Sequence, residues 1–345
     1  MNMKIIALFL IVLLLAMGCA KEQPVEEVEE IEETEDEADE ESVVYEVPGD
    51  ELEEDETFVV EGVEEPETIV EPVEEVVVEA PVAVPKVNGA RLNIDSWMIQ
   101  LSEYDIDDMQ TEGADLYVVD REELANDKLS PEELDGYVLA YLNIGEVIRN
   151  KDYWDRDWGL GNPAWIDRKT GGKWDNYRAQ YWQEPWQMII IDQMDKILDA
   201  GYDGVYLDGV EHYPYFQSYS GVNSNGAMIE FVKKVSSYGK DKNSKFIVMV
   251  QEGLELTDDG DYLAAIDGYA EEELWYDGSV EINDFDIEEK LAKLDELRKS
   301  KTLLVLDYPA TPGKVCNFVG KASSHRFAGY AGAVFLDRAT NWGCD

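Results

Sequence analysis

The stretch GVYLDG, residues 204–209, is a short apolar run that ends in a carboxylate and is bounded by glycine on both sides. A strand buried on both faces reads this way, as continuous apolar residues without an in-and-out alternation. Working outward from it, the same kind of run recurs. Upstream lie SWMIQLS (96–102), DLYVVD (115–120) and YVLAYLNIG (137–145); downstream lie FIVMVQEG (246–253), DGYAEEEL (267–274), TLLVLDY (302–308) and GAVFLDR (332–338). Most are separated by stretches with apolar residues at three- and four-residue spacing, clearest at 186–200, 227–238 and 287–300, the mark of an amphipathic helix. Strand alternating with helix implies a parallel sheet. Eight such units within about 260 residues, close to the ~250 typical of the closed form, predict an α/β fold, the (β/α)8 TIM barrel, over residues 87–345.

The residues before 87 are of another kind. MNMKIIALFLIVLLLAMGCA opens with Lys4, an apolar run from Ile5 to Met17, and small Gly18 ahead of Cys19. This is the layout of a cleavable export signal, too short for a comfortable membrane span of ~20 residues. A Cys after a small residue at that point resembles the lipobox of bacterial lipoproteins. Residues 1–18 are therefore expected to be a lipoprotein signal peptide and Cys19 the lipidated new N-terminus, anchored to the membrane. From Lys21 to Pro85 there are 28 acidic residues against Lys21 alone, with no periodicity that would bury a face. Self-repulsion at this density keeps a chain extended, so residues 19–86 are expected to be an acidic disordered linker. The domain is then extracytoplasmic, lipid-anchored to the cell envelope, where disulfides form. With Cys19 assigned to lipid, Cys316 and Cys344 are left to pair.

The chain carries a net charge of −49. Beyond Pro85, 49 of the 77 acids stand against 26 of the 28 bases, a balance of about −23 that excludes the basic footprint nucleic-acid binding needs. The same field would draw in a cationic substrate.

Catalytic groups of such barrels sit at the C-terminal ends of strands. Those ends carry Glu146, Asp208, Glu252, Glu271 to Glu273, Asp307 and Asp337. So many like charges must line a solvated cleft or pair with cations such as Arg149 and Arg338. Crowded carboxylates push one another's pKa apart, so that one stays protonated while another is ionised, the division of labour that glycosidic cleavage requires. The connection after the third strand is also long, and long βα loops in barrels are usually functional. It holds Trp154, Trp158, Trp165, Trp174, Trp182 and Trp186, six of the nine Trp residues in the chain. Flat aromatic faces stack on sugar rings; no more than two or three of these six are expected to touch ligand, the others to pack the loop.

Four blocks carry a resemblance: YLNIGE (141–146), QYWQEPWQ (180–187), DGVYLDGVEHY (203–213) and EELWY (272–276). In this order they resemble the signature blocks of glycoside hydrolase family 114, whose members are endo-α-1,4-polygalactosaminidases or related proteins, and the similarity runs from about Leu92 to Asp337. The resemblance implies a catalytic Asp at the end of strand four and a catalytic Glu at the end of strand six, here Asp208 and Glu272. Strand alternation sends Glu271 and Glu273 to the face opposite Glu272. By analogy with barrels that hydrolyse α-galactosides, Asp208 would be the nucleophile and Glu272 the acid/base of a retaining reaction. Tyr141, Asn143, Glu146, Tyr181 and Tyr308 match positions expected to bind substrate, as do Gln251 and Glu252. At the last of these the chain departs from the family, which tends to carry Gln-Asn there. A carboxylate that only accepts replaces an amide that donates, which suits an amino sugar with free ammonium groups or else a different substrate. The implied function is a monomeric glycosidase, without cofactor or metal, acting on an α-linked, galactosamine-rich and cationic polysaccharide.

The alternative from another class is a non-catalytic glycan-binding envelope lipoprotein with the same barrel; a ring of acids is more than binding alone needs. Asp152, Asp155 and Asp157 in DYWDRDWG (152–159) could share a calcium ion, although the EF-hand spacing is incomplete. His212 lies near Asp208, but no GxSxG elbow occurs, and His212 reads as a rim or loop residue. With His212 and His325 as the only His residues, a His or Cys zinc site is not expected.

Overall fold

The computed structural model describes residues 91–340, apart from 172, 173 and 175, together with Cys344. The expected export signal, Cys19 and the acidic linker lie outside the described residues. Every described residue belongs to one compact unit, Val77–Asp345.

Eight parallel strands form one sheet in chain order: β1 (Trp97–Gln100), β2 (Leu116–Val119), β3 (Tyr137–Asn143), β4 (Gly204–Asp208), β5 (Ile247–Gln251), β6 (Gly268–Glu272), β7 (Thr302–Asp307) and β8 (Ala328–Ala331). The first seven are followed in turn by α1 (Ile106–Glu112), α2 (Arg121–Asn126), α3 (Glu184–Asp199), α4 (Ser224–Lys242), α5 (Gly260–Ala265), α6 (Glu288–Leu297) and α7 (Pro312–His325). This is the (β/α)8 barrel. Between β8 and β1, the Trp97 indole N–H donates to Ala328 O at 2.9 Å and, at the rim, Leu101 N–H donates to Leu336 O at 2.7 Å.

Helices cover the outer face, which is why β1, β2, β5 and β7 are buried along their whole length and read as unbroken apolar runs. On α3 the buried stripe is Trp186, Ile190, Met194 and Ile197, the spacing that brings one helix face to the sheet. Asp120 caps α2 by accepting from Glu122 N–H and Glu123 N–H at 2.9 and 3.1 Å. Asn223 caps α4 through Gly226 N–H at 3.2 Å. Such caps satisfy donors that a helix start leaves unpaired. A disulfide joins Cys316 of α7 to Cys344, 5.3 Å between Cα atoms.

The eighth strand differs from the reading of the sequence. It is AGYA at 328–331, not GAVFLDR at 332–338. Only Arg326 and Phe327 separate it from the end of α7, and Ala331 is already level with Asp307, the last residue of β7. By Gly332 the chain has therefore reached the rim. Small residues serve in this strand because α7 lies close above it: a Cβ on Gly329 would stand 2.7 Å from the Ala322 side chain. The apolar run that follows turns across the mouth, with Leu336 N–H donating back to Ala333 O at 2.8 Å.

The long connection between β3 and α3 has a sheet of its own. Three short antiparallel strands, Glu146–Val147, Ile166–Lys169 and Tyr177–Ala179, pair with the last of them in the middle.

Candidate active site

The C-terminal mouth of the barrel opens into a cavity of about 690 Å³, the size of a small-ligand site. At its floor β3 and β4 end side by side, Asn143 level with Asp208. Their backbones nearly touch just beyond: a Cβ on Gly145 would stand 2.0 Å from Gly209 O, and Gly209 itself has φ 75°. Only glycine fits such an approach. Asn143 Oδ1 turns the chain there by accepting from Gly145 N–H and Glu146 N–H at 3.1 and 2.7 Å, which leaves its amide free to donate to Asp208 Oδ2 at 3.1 Å. The Tyr141 hydroxyl donates to the same oxygen. Gly209 N–H and the Gln251 amide donate to Asp208 Oδ1 at 2.7 and 3.2 Å. Asp208 thus receives four donors.

Glu272 ends β6 and receives two. The Tyr308 hydroxyl donates to Oε1 and the Gln251 amide to Oε2 at 2.7 Å. One amide nitrogen therefore serves both carboxylates. Its orientation is set from below, where the Tyr206 hydroxyl donates to Gln251 Oε1 at 2.8 Å and the Tyr206 ring stacks on Trp97, 6.1 Å between centroids. Burial pushes Glu272 up to about 7, against the Tyr308 bond and with a further push from the Asp208 charge. Burial raises Asp208 as well, with Tyr141 and Gly209 opposing and Glu146 adding to the rise. Its four donors favour the ionised form of Asp208 more than two favour that of Glu272. The arrangement can hold one carboxyl as an acid and the other as an anion.

A sequence model of glycoside-hydrolase family GH114 matches residues 76–338. The chain belongs to this family. Among its relatives, a protein of Methanocaldococcus jannaschii is 34% identical over 228 residues, 61% of this chain and 66% of the relative, so the chain spans just under two thirds of that protein. One of Thermotoga maritima is 27% identical over 234 residues, 64% of this chain and 72% of the relative. Two solved structures share the barrel. The glycoside hydrolase domain of PelA from Pseudomonas aeruginosa has a TM-score of 0.56 at 14% identity, over 71% of this chain and 97% of that one. Aspergillus fumigatus Ega3 in complex with galactosamine has a TM-score of 0.54 at 14% identity, over 70% and 92%. At such identity the likeness speaks for the fold alone.

In this GH114 barrel the other expected site residues divide. Tyr141, Asn143, Glu146, Gln251, Glu252 and Tyr308 line the cleft with Asp208 and Glu272. Tyr181 does not: it is fully buried and its hydroxyl donates to Ser224 O at 3.0 Å, bracing the start of α4. Glu146 is held by Asn176 at 2.9 Å and His212 at 2.8 Å. Burial works against its ionised form, but His212, Asn176 and Arg178 outweigh it and lower the Glu146 pKa. Glu252 has φ 60°, which swings its side chain into the cleft; burial, then the charges of Glu271, Glu272 and Asp208, push it up to about 8.

Not every strand-end acid joins the ring. Glu271 points outward to the Tyr269 hydroxyl at 2.6 Å and to Lys290, as alternation requires. Glu273 breaks the alternation, because its φ of 50° returns it to the cleft. Asp307 is buried and organises a loop, accepting from Leu274, Trp275 and Tyr276 N–H at 2.8, 2.9 and 3.0 Å. Asp337 pairs with Arg338 at 3.1 Å. The Trp-rich connection is mostly packing: Trp154, Trp158, Trp165 and Trp186 touch in succession, centroids 5.0 to 5.7 Å apart. Trp182 packs on Phe216, and Trp174, 60% exposed, lines the cleft. The shared-calcium reading of 152–159 fails on Asp152, whose carboxylate takes Arg121, Lys196 and Gln193 at 2.8 Å each. Sequence patterns do not assign Tyr206, Asn176, Glu211 or the rim pair Val334 and Phe335 to the site. Tyr206 was within reach, since in GVYLD it shares the inward face with Asp208.

Proposed function

We propose that this chain is a lipid-anchored, extracytoplasmic glycosidase that cleaves an α-linked galactosamine-rich polysaccharide in the manner of an endo-α-1,4-polygalactosaminidase, with retention at the anomeric carbon. Asp208 is the nucleophile and Glu272 the acid/base. The supporting observation is the shared amide of Gln251. Since Asp208 Oδ1 and Glu272 Oε2 lie 3.2 and 2.7 Å from one nitrogen, they are no more than about 6 Å apart, below the ~6.5–9.5 Å that leaves room for a water in inverting enzymes. Glu272, raised to about 7, protonates the departing glycosidic oxygen while Asp208 attacks the anomeric carbon. A glycosyl ester on Asp208 results. Glu272, now ionised, takes a proton from water, whose oxygen displaces Asp208 and releases the sugar. Family membership and the acid-lined mouth favour a substrate with protonated amines.

Asp208→Asn and Glu272→Gln are each expected to abolish cleavage of α-1,4-linked galactosamine polymer while shifting the thermal midpoint little. Full activity in either variant sinks the assignment. Proton NMR of the first product gives the stereochemistry: an α-anomer supports retention and a β-anomer overturns it.

A further inference from the structure

Topology divides the mouth of the barrel into two arcs. The carboxylates that line the cleft beside the catalytic pair, Glu146, Glu211, Glu252 and Glu273, follow β3, β4, β5 and β6. The arc formed by β7, β8 and β1 gives an apolar wall instead, made of Leu306, Val334, Phe335, Leu336, Ile99 and Leu101. After β2, between the arcs, Asp120 is matched by Lys151, and Glu123 of α2 reaches the cleft as one further carboxylate. In a ring of eight strands β8 stands opposite β4, so the turn carrying Val334 and Phe335 lies across the mouth from Asp208.

That turn is tied down. Leu336 N–H donates to Ala333 O at 2.8 Å and Leu336 O accepts from Leu101 N–H at 2.7 Å, while the Thr340 hydroxyl holds Ala331 O at 2.6 Å. Leu336 adopts φ 50°, a left-handed conformation uncommon for a residue other than glycine. Its side chain is buried, and the two before it are left 52% and 59% exposed. Strained backbone of this kind persists where the surroundings over-determine it, and it collects at ligand clamps. A rigid turn that presents two bulky apolar side chains to a cleft otherwise rich in carboxylates is built for a ligand with both chemistries.

We propose that Phe335, with Val334 beside it, is a platform for the apolar C–H face of the sugar ring bound between Asp208 and Glu272, and that it determines specificity. This rests on the glycosidase reading above. An amino sugar has a C–H face and a cationic, hydroxyl-bearing edge; the apolar arc takes the first and the acid arc the second.

The test separates the platform from the chemistry. Phe335→Ala is expected to raise KM for galactosamine polymer roughly tenfold and leave kcat nearly unchanged, as loss of apolar contact made equally in ground and transition states requires. Phe335→Tyr restores the KM. Phe285→Ala, removing an exposed aromatic that does not line the cleft, changes neither constant. Calorimetric titration of the Glu272→Gln chain with galactosamine oligosaccharides, with and without Phe335→Ala, reads binding when nothing is cleaved. Unchanged KM and affinity in Phe335→Ala overturn the platform and leave the hydrolase intact. Phe335-dependent binding without any cleavage by the unsubstituted chain overturns the hydrolase and keeps the platform. Neither binding nor cleavage overturns both.

Discussion

Asp208 and Glu272 are both carboxylates at strand ends, and the difference between them lies in what surrounds each. Burial disfavours ionisation at both, but Asp208 accepts from Tyr141, Asn143, Gly209 and Gln251, and hydrogen bonds to an anion offset the loss of water. This asymmetry sets the expected pH dependence. kcat/KM should fall as pH rises through about 7, where Glu272 loses the proton it donates, and fall again in acid as Asp208 takes one up, a bell-shaped profile. A rate that climbs steadily to pH 9 would contradict Glu272 as the acid. The shared donor, Gln251, keeps the two groups at a fixed spacing, and Tyr206 fixes which end of the amide faces them. Tyr206 and Gln251 stand 45 residues apart in the chain, so no local pattern joins them.

At the scale of elements, the connection between β3 and α3 is a packed subdomain in which Trp174 alone of its Trp side chains lines the cleft. Trp186 is its keystone: fully buried, it meets Trp165 and Tyr153, and its indole donates to Ile144 O at 2.8 Å, directly before Gly145 and Glu146. Trp186→Ala is therefore expected to cost about 3–5 kcal/mol of stability, the range for truncating a large core side chain, measured by denaturant unfolding. Trp174→Ala, at an exposed position, should change stability by no more than about 0.5 kcal/mol. Equal losses in the two variants would refute this division. Six Trp residues in one loop announced function, yet packing and sugar stacking draw on the same residue type. Only burial separates them.

For the whole molecule, the crowded mouth carries a stability cost. Glu272 and Glu252, raised to about 7 and about 8 from the ordinary 4.5, bind more protons folded than unfolded between those limits. Stability should therefore decline as pH rises from about 5 to 8, because folding then requires either protonation or buried charge. Carboxylates lowered by their partners, such as Glu146 and Asp152, act in the opposite sense and lose their contribution in acid below about 4.5. The thermal midpoint is expected to peak near pH 5 and to decline less steeply in Glu252→Gln; a midpoint rising up to pH 8 would contradict it. The proposed lipid anchor is tested at this scale too. Cys19→Ser should move the protein from the detergent phase to the aqueous phase on partitioning, and an unchanged distribution would argue against the lipid anchor.

Hydrophobic runs and their spacing are local, and a barrel repeats one local unit, so the order of strands and helices was legible from residues alone. So was Asp208: it follows VYL inside a bounded run and sits in a family block. Strand alternation likewise separated Glu272 from Glu271. The position of β8 was not legible, because GAVFL is more apolar than AGYA and only the closeness of α7 makes the small residues the better fit. Nor was the fate of the acids at strand ends. Glu252 and Glu273 enter the cleft through left-handed backbone turns, Asp307 leaves it to bind three amides of a neighbouring loop, and Tyr181, inside a family block, packs away beneath α4. The sequence by itself determined the barrel, through short-range periodicity, and its family blocks pointed to the strands that bear the proposed catalytic pair. Which side chains share the cleft was decided only in the tertiary structure, because direction at a strand end depends on backbone turns and hydrogen bonds contributed by residues far along the chain.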